Sequence, residues 1–278
     1  MVRRHPISTR FFDGTPPVFT TLTSLSRVID LNEPVTVDYH FDILCPFAYM
    51  ASKWIRQVRE QVPLTINWRF FSLEEVNRED GKRHPWERSW SYGWSMLRIA
   101  ALLRRHDPVL VDQWYAIAGF ALHEAGQKPH DPSVARELLN ELDLDPGLVE
   151  ASMDDPTLDD EIRYDHERVL AAGGFGVPTL IFDNDQTLFG PVLIDPPSGE
   201  QALELWTMVL TASRHANFFE LQQPKGPTQL NAIASALEPY LQGRDWKSIN
   251  RGKEVTFGDD VDTTSAGLPA APATSSGE

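Results

Sequence analysis

The chain has 278 residues, enough to bury a sizeable core as one large domain or as one domain carrying another within it. Its formal charge of −15, from 40 acidic against 25 basic side chains, argues against nucleic acid or an anionic membrane as partner. A single cysteine excludes an internal disulfide and a cysteine-rich metal site, and it fits a reducing compartment.

Residues 1–34 include "GTPP" and scattered Ser and Thr with little periodicity, which predicts a mostly irregular leader. Arg3 and Arg4 are followed by no apolar core, so the leader does not read as a signal peptide. Nowhere does an apolar run approach the ~18 residues of a membrane span. The expected location is the cytoplasm.

"VTVDYHFD" at 35–42 alternates Val35, Val37, Tyr39 and Phe41 on one face, the pattern of a half-buried strand. From Pro46 the spacing Met50, Trp54, Val58, with Phe47 and Ala51 beside them, predicts an amphipathic helix. Pro46 suits its first position, where the missing N–H costs nothing. "LTINWRFFSL" at 64–73 reads as a second strand, so 35–73 form a β–α–β unit with parallel strands.

The next hundred residues are predicted to be helical, with longer helices at "WSMLRIAALLRR" and "LVDQWYAIAGFALHEAG". Asp-Pro recurs at 107–108, 131–132, 145–146 and 155–156, each time before helix-forming sequence. An aspartate cap followed by proline is a helix start, so these four acids read as caps. Residues 131–167 carry thirteen acidic side chains against two arginines, which predicts a solvated helical face. The adjacent pairs Glu74–Glu75, Asp154–Asp155 and Asp159–Asp160 are likewise expected in solvent.

"GGFGVPTLIFDNDQTLFGPVLI" then signals two short strands joined at Asp183–Gln186, and "GEQALELWTMVLTASRHANFFEL" a closing helix. The tail, 253–278, ends in "TTSAGLPAAPATSSGE", whose composition predicts disorder. The expected architecture is an α/β thioredoxin-like fold: a core of 35–82 and 172–252, interrupted by a helical domain at 83–171.

Cys45 sits at the strand-to-helix junction. Free N–H groups and the helix dipole favour an anion there, which predicts a thiol pKa below the ordinary value. Val177–Pro178 lies 133 residues downstream of Cys45, where "GFGVP" enters "TLIF". A proline at the mouth of a strand has no ladder N–H to give. In a thioredoxin fold a cis-proline at that point faces the cysteine and leaves the preceding backbone free to bind a peptide or thiol. "GGFG" at 173–176 follows a helix and precedes a strand, the wrong order for a phosphate loop, and is read as a helix end. His40 and His123 are candidates to assist the thiol, although structural histidines are commoner. No metal-ligand spacing is present among the eight histidines.

"FDILCPFAYMASKWI", "FFSLEEVN", "VPTLIF" and "LFGPVLIDPPSGEQALELW…ASRHANFFEL" together resemble the actinobacterial mycothiol-dependent nitroreductases, a cytosolic branch of the DsbA-like oxidoreductases. The resemblance runs from about residue 35 to about 224. It implies Cys45 as nucleophile, a cis-Pro178, the small thiol mycothiol as co-substrate with no tightly bound cofactor, and a homodimer. It also implies a thiol-binding role for Pro46, Phe47 and Val177, for Asn77 as a pocket asparagine, and for Trp86 as an aromatic gate. The chain departs from the family's Cys-Pro-Trp-Cys at the centre, with Phe47 and Ala48 after Cys45 and Pro46. Without a second thiol the isolated chain cannot run a dithiol cycle, but a monothiol cycle survives.

The expected activity is therefore a monothiol oxidoreductase or thiol transferase acting on a small thiol or electrophile, with protein disulfides as further partners. Two alternatives stand beside it. One is a thiol-cofactor-dependent isomerase or transferase resembling the kappa-class enzymes; the other is a binding module that keeps the fold without catalysis.

Overall fold

A computed structural model describes residues 29–88 and 90–243 of the chain. The leader, up to residue 28, and the predicted disordered tail, 253–278, lie outside the described residues. Strand β1 (Val35–Phe41) leads into helix α1 (Pro46–Arg59), which returns to β2 (Leu64–Phe70). Five helices of four to sixteen residues follow β2. They are α2 (Leu73–Val76), α3 (Trp94–His106), α4 (Pro108–His123), α5 (Pro132–Glu141) and α6 (Leu148–Asp154). Then come α7 (Thr157–Ala171), the hairpin β3 (Thr179–Phe182) and β4 (Thr187–Phe189), α8 (Gly199–Ala212) and α9 (Pro227–Gly243).

The sheet order is β2-β1-β3-β4. β1 runs parallel to β2 with Tyr39 opposite Trp68, and antiparallel to β3 with Tyr39 opposite Leu180. A parallel neighbour requires a crossover, which α1 supplies; an antiparallel one does not, so β3 and β4 join by a tight turn. Both faces of the sheet are covered. On one, Tyr39, Phe41, Trp68 and Tyr115 of α4 pack edge-to-face and stacked, with the Phe41 and Tyr115 rings 4.0 Å apart. Such aromatic pairs stabilise beyond their buried area by about 1 kcal/mol each. On the other, α7 reaches the sheet through Arg168 to Asp38 (2.7 Å) and Asp165 to the Phe70 N–H (3.2 Å).

The four Asp-Pro carboxylates each accept a backbone N–H two residues on: from Val109, Ser133, Gly147 and Thr157. In the first two cases Asp107 and Asp131 are the helix caps themselves. Gly173, at φ +80°, turns the chain out of α7, in the left-handed conformation that favours glycine at a helix end.

Three expectations need correction. The second strand stops at Phe70, because Ser72 caps the short α2 by accepting from the Glu75 N–H. The closing helix also stops early, at Ala212, and a further helix, α9, follows it. The stripe Leu230, Ile233, Leu237, Tyr240 carries α9, while Pro239 inside it reads as a breaker. The acidic pairs are the third. Glu74 and Asp159 are buried rather than solvated, as is Asp165 within the acidic run. Their charges are met within the fold. Asp159 takes Arg98 and the Trp94 indole N–H, and Asp165 takes Arg104.

Candidate active site

β1 ends at Phe41, and residues 42–45 turn the chain directly into α1. Asp42 makes that turn. Its backbone carbonyl accepts the Cys45 N–H (2.9 Å) and its Oδ1 accepts the Leu44 N–H (2.9 Å). Its Oδ2 accepts the Leu73 N–H from the start of α2 (2.6 Å). Cys45 is thereby placed as the cap of α1, extended at φ −86°, with Pro46 at the first helical position.

The Cys45 sulfur accepts the Ala48 N–H at 3.4 Å, as a cap side chain does. On its other side the thiol donates to the Val177 carbonyl at 3.3 Å, joining two segments 132 residues apart. The Val177–Pro178 peptide is cis, as is Gly190–Pro191, and the Gly190 N–H donates to the Pro178 carbonyl (2.8 Å). Val177 and Pro178 are buried, while Pro46 and Phe47 are half-buried beside the sulfur.

The electrostatics differ from the sequence expectation. Burial pushes the Cys45 thiol up to about 12; the Ala48 and Phe47 N–H groups pull it down, and the Asp42 charge pushes it further up. The helix N-terminus acts in the expected direction, but a sulfur only 6% exposed loses more hydration than two N–H groups replace. The resting group is a protonated thiol that donates a hydrogen bond.

Cys45, Pro46, Phe47, Val177 and Pro178 come together. Asn77 and Trp86 belong to the connection between α2 and α3. The exposed Asn77 donates from its amide to the Leu73 carbonyl (2.8 Å), capping α2. Trp86 stacks on His84 (4.2 Å), meets Trp94 (5.1 Å) and lies under the Arg163 guanidinium (5.3 Å). His40 and His123 are structural. Burial holds each down at about 4, hence neutral. His123 faces the Ile43 carbonyl (2.7 Å) and stacks on Tyr49. Sequence reasoning overlooked Asp42 and Glu74. Glu74 accepts from the Gly93 and Trp94 N–H groups (2.8 and 2.9 Å) and pairs with Arg88. The available signal for Asp42 was an acid directly after the strand, three residues before the cysteine.

Fold and site define a thioredoxin-fold protein with a single cysteine at the start of its first helix. Residues 44–223 match the model of the Rv2466c-like family, described as mycothiol-dependent nitroreductase Rv2466c, and the chain belongs to that family of thiol-dependent oxidoreductases. Over 220 residues it is 59% identical to the protein named Uncharacterized protein Rv2286c of Mycobacterium tuberculosis H37Rv, covering 79% of this chain and 95% of that one. Among solved structures it is similar to the cytosolic disulfide reductase DsbM of Pseudomonas aeruginosa with GSH, at 17% identity. The match covers 63% of this chain and 99% of that one, with a TM-score of 0.46. It is also similar to a 2-hydroxychromene-2-carboxylate isomerase, at 16% identity over 64% and 95% of the two chains and a TM-score of 0.48. Among the described residues no helix is long and apolar enough to cross a membrane.

Proposed function

We propose that the chain is a monothiol thiol–disulfide oxidoreductase, or thiol transferase, with Cys45 as nucleophile and a low-molecular-weight thiol such as mycothiol as co-substrate. What supports the reading is one contact: the Cys45 sulfur caps α1 and lies 3.3 Å from the Val177 carbonyl, beside Pro178. A disulfide entering there meets the sulfur, the first N–H groups of α1 and the Val177 backbone together. Cys45 attacks one sulfur of the disulfide, forming a mixed disulfide and releasing the other half as a thiolate. A second molecule of small thiol then attacks the mixed disulfide and frees Cys45. Ala48 supplies no internal alternative, so release comes from outside the chain. Pro46, Phe47, Val177 and Pro178 line the approach in this reading, while Asn77 and Trp86, engaged with Leu73 and with His84, Trp94 and Arg163, are assigned to it through the resemblance alone.

Exposure of the folded protein to oxidised mycothiol, followed by mass spectrometry, should give one adduct, on Cys45. No adduct on folded protein at pH 8 to 9 overturns the proposal.

One observation favours a second reading. A protonated, hydrogen-bond-donating Cys45 suits a group that steadies the thiolate of a bound cofactor, as in a kappa-class-like isomerase or transferase. In that case Cys45→Ser keeps activity because the attacking sulfur belongs to the cofactor. If Cys45 is the nucleophile, the serine variant loses both activity and adduct.

A further inference from the structure

Helix α4 is apolar on nearly every side. Between Pro108 and Leu122 its polar side chains are Asp112, Gln113 and the Tyr115 hydroxyl. A helix of that kind in a soluble fold is expected to be covered all round. Its inner face is covered: Val111, Trp114, Ala118 and Leu122 are buried. Its outer face is open. Ile117 is half-buried and Phe120 is 53% exposed, and both line a groove of about 540 Å³ together with Glu141, Leu142 and Asp143 at the end of α5. An open apolar floor with a polar rim is the form of a docking surface. The rim here is acidic and uncompensated. Several other acids of 131–167 have an arginine: Glu150 has Arg136, Asp155 has Arg105, Asp160 has Arg163 and Glu161 has Arg104. Among the described residues no basic side chain pairs with Glu141 or Asp143, nor with Glu137 one turn earlier on α5.

The end of α9 comes to the same helix. Tyr240 meets the ring of His123, the last residue of α4, at 5.2 Å. Gly126, left-handed at φ +63°, then passes α9 so closely that a Cβ there would stand 3.4 Å from the Pro239 carbonyl and 3.7 Å from the Gln242 side chain. The segment that follows α9, 244–253, lies outside the described residues, and its sequence complements the groove. "RDWKSINRGK" sets Arg244, Lys247, Arg251 and Lys253 against Asp245 alone, a charge of +3 in a chain of −15. Its large apolar side chains are Trp246 and Ile249. Trp246 is three residues beyond Gly243 and Ile249 six, roughly 10 and 20 Å of extended chain, while Phe120 precedes Gly126 by six. A tether this short holds even a weak contact at high effective concentration. We propose that residues 244–253 dock in the groove between α4 and the end of α5. Trp246 and Ile249 cover Ile117 and Phe120, and the basic side chains meet Glu141 and Asp143. Nothing in this contact depends on the thiol chemistry proposed above.

A water-soluble carbodiimide joins a lysine amine to a carboxylate where the two touch, so it reads this docking in the full-length chain. Wild-type protein treated in dilute solution, separated as monomer and digested, should yield a cross-link from Lys247 or Lys253 to Glu141 or Asp143. The double variant Trp246→Ser, Ile249→Ser keeps every one of those charges and removes the apolar anchor, so the cross-link should be lost. Phe120→Ser, on the groove side, should lose it likewise; should that variant fail to fold, the double variant decides. No such cross-link in wild-type monomer overturns the proposal. A cross-link confined to covalent dimers also overturns it, making a second copy the occupant. So does one that survives the double variant undiminished, which would be a chance meeting of opposite charges and no docking.

Discussion

At the scale of one residue, Asp42 shows two physical effects working against each other. Two N–H donors favour its charged form, while complete burial disfavours it, and burial wins by raising the group to about 7. An unfolded aspartate titrates near 3.9. Between those values the folded protein binds the extra proton, so Asp42 stabilises the fold at acid pH. That contribution is lost as pH rises through about 7. The difference is on the order of 4 kcal/mol across the window. Urea unfolding from pH 4 to 7.5 should show wild type losing stability relative to Asp42→Asn by that order. The slope is the readout, because the asparagine also turns one acceptor into a donor facing Leu44 or Leu73. Parallel curves for the two proteins would mean that Asp42 is already ionised at pH 4.

At the scale of elements, Glu74 is the fastening. From the four-residue helix α2 it accepts the Gly93 and Trp94 N–H groups, so it caps α3, whose own Gly93 brings no side chain for the purpose. The same carboxylate takes Arg88 and Ser91, so it holds the whole approach to α3. Glu74→Gln should cost about 2 kcal/mol and should raise hydrogen exchange at residues 90–97 ahead of global unfolding. Exchange there unchanged from wild type would show that the segment is fixed by other contacts, such as Trp90 to the His130 carbonyl. The elements themselves were largely legible in the chain. Alternation wrote β1, the 3.6 spacing wrote α1, and Asp-Pro marked four turns into helix. Glu74 was not legible, because adjacency in sequence says nothing about which of two acids a distant helix start will need. α9 was hidden behind Pro239, a local penalty that its apolar stripe overrides. The cysteine's place could be read, but its ionisation could not: the dipole is a property of the junction, whereas desolvation depends on Val177 arriving from 132 residues away.

At the scale of the molecule, acid response is set by groups that the fold keeps neutral. His40 lies on the sheet face that α7 covers, and His123 lies between α4 and the cysteine loop; both are held at about 4 by burial. An unfolded histidine titrates near 6.5, so between about 6.5 and 4 the unfolded chain binds two protons that the fold refuses. Stability from these two rings is thus present above 6.5 and lost as pH falls through that window. Asp42 and Glu74, both raised by burial, work in the opposite sense, but burial lowers His166 as it does the other two rings, so three groups stand against two. The net expectation is a fold that strengthens from pH 4.5 to 6.5. His123→Gln keeps an amide donor for the Ile43 carbonyl and removes the titrating ring. Its urea midpoint should rise less steeply with pH than the wild-type midpoint, converging with it at acid pH. Equal slopes would mean that His123 already carries its proton in the fold, with the ring displaced from Tyr49 and Tyr240. The cysteine loop whose Ile43 carbonyl it faces would then loosen in acid before the rest of the sheet.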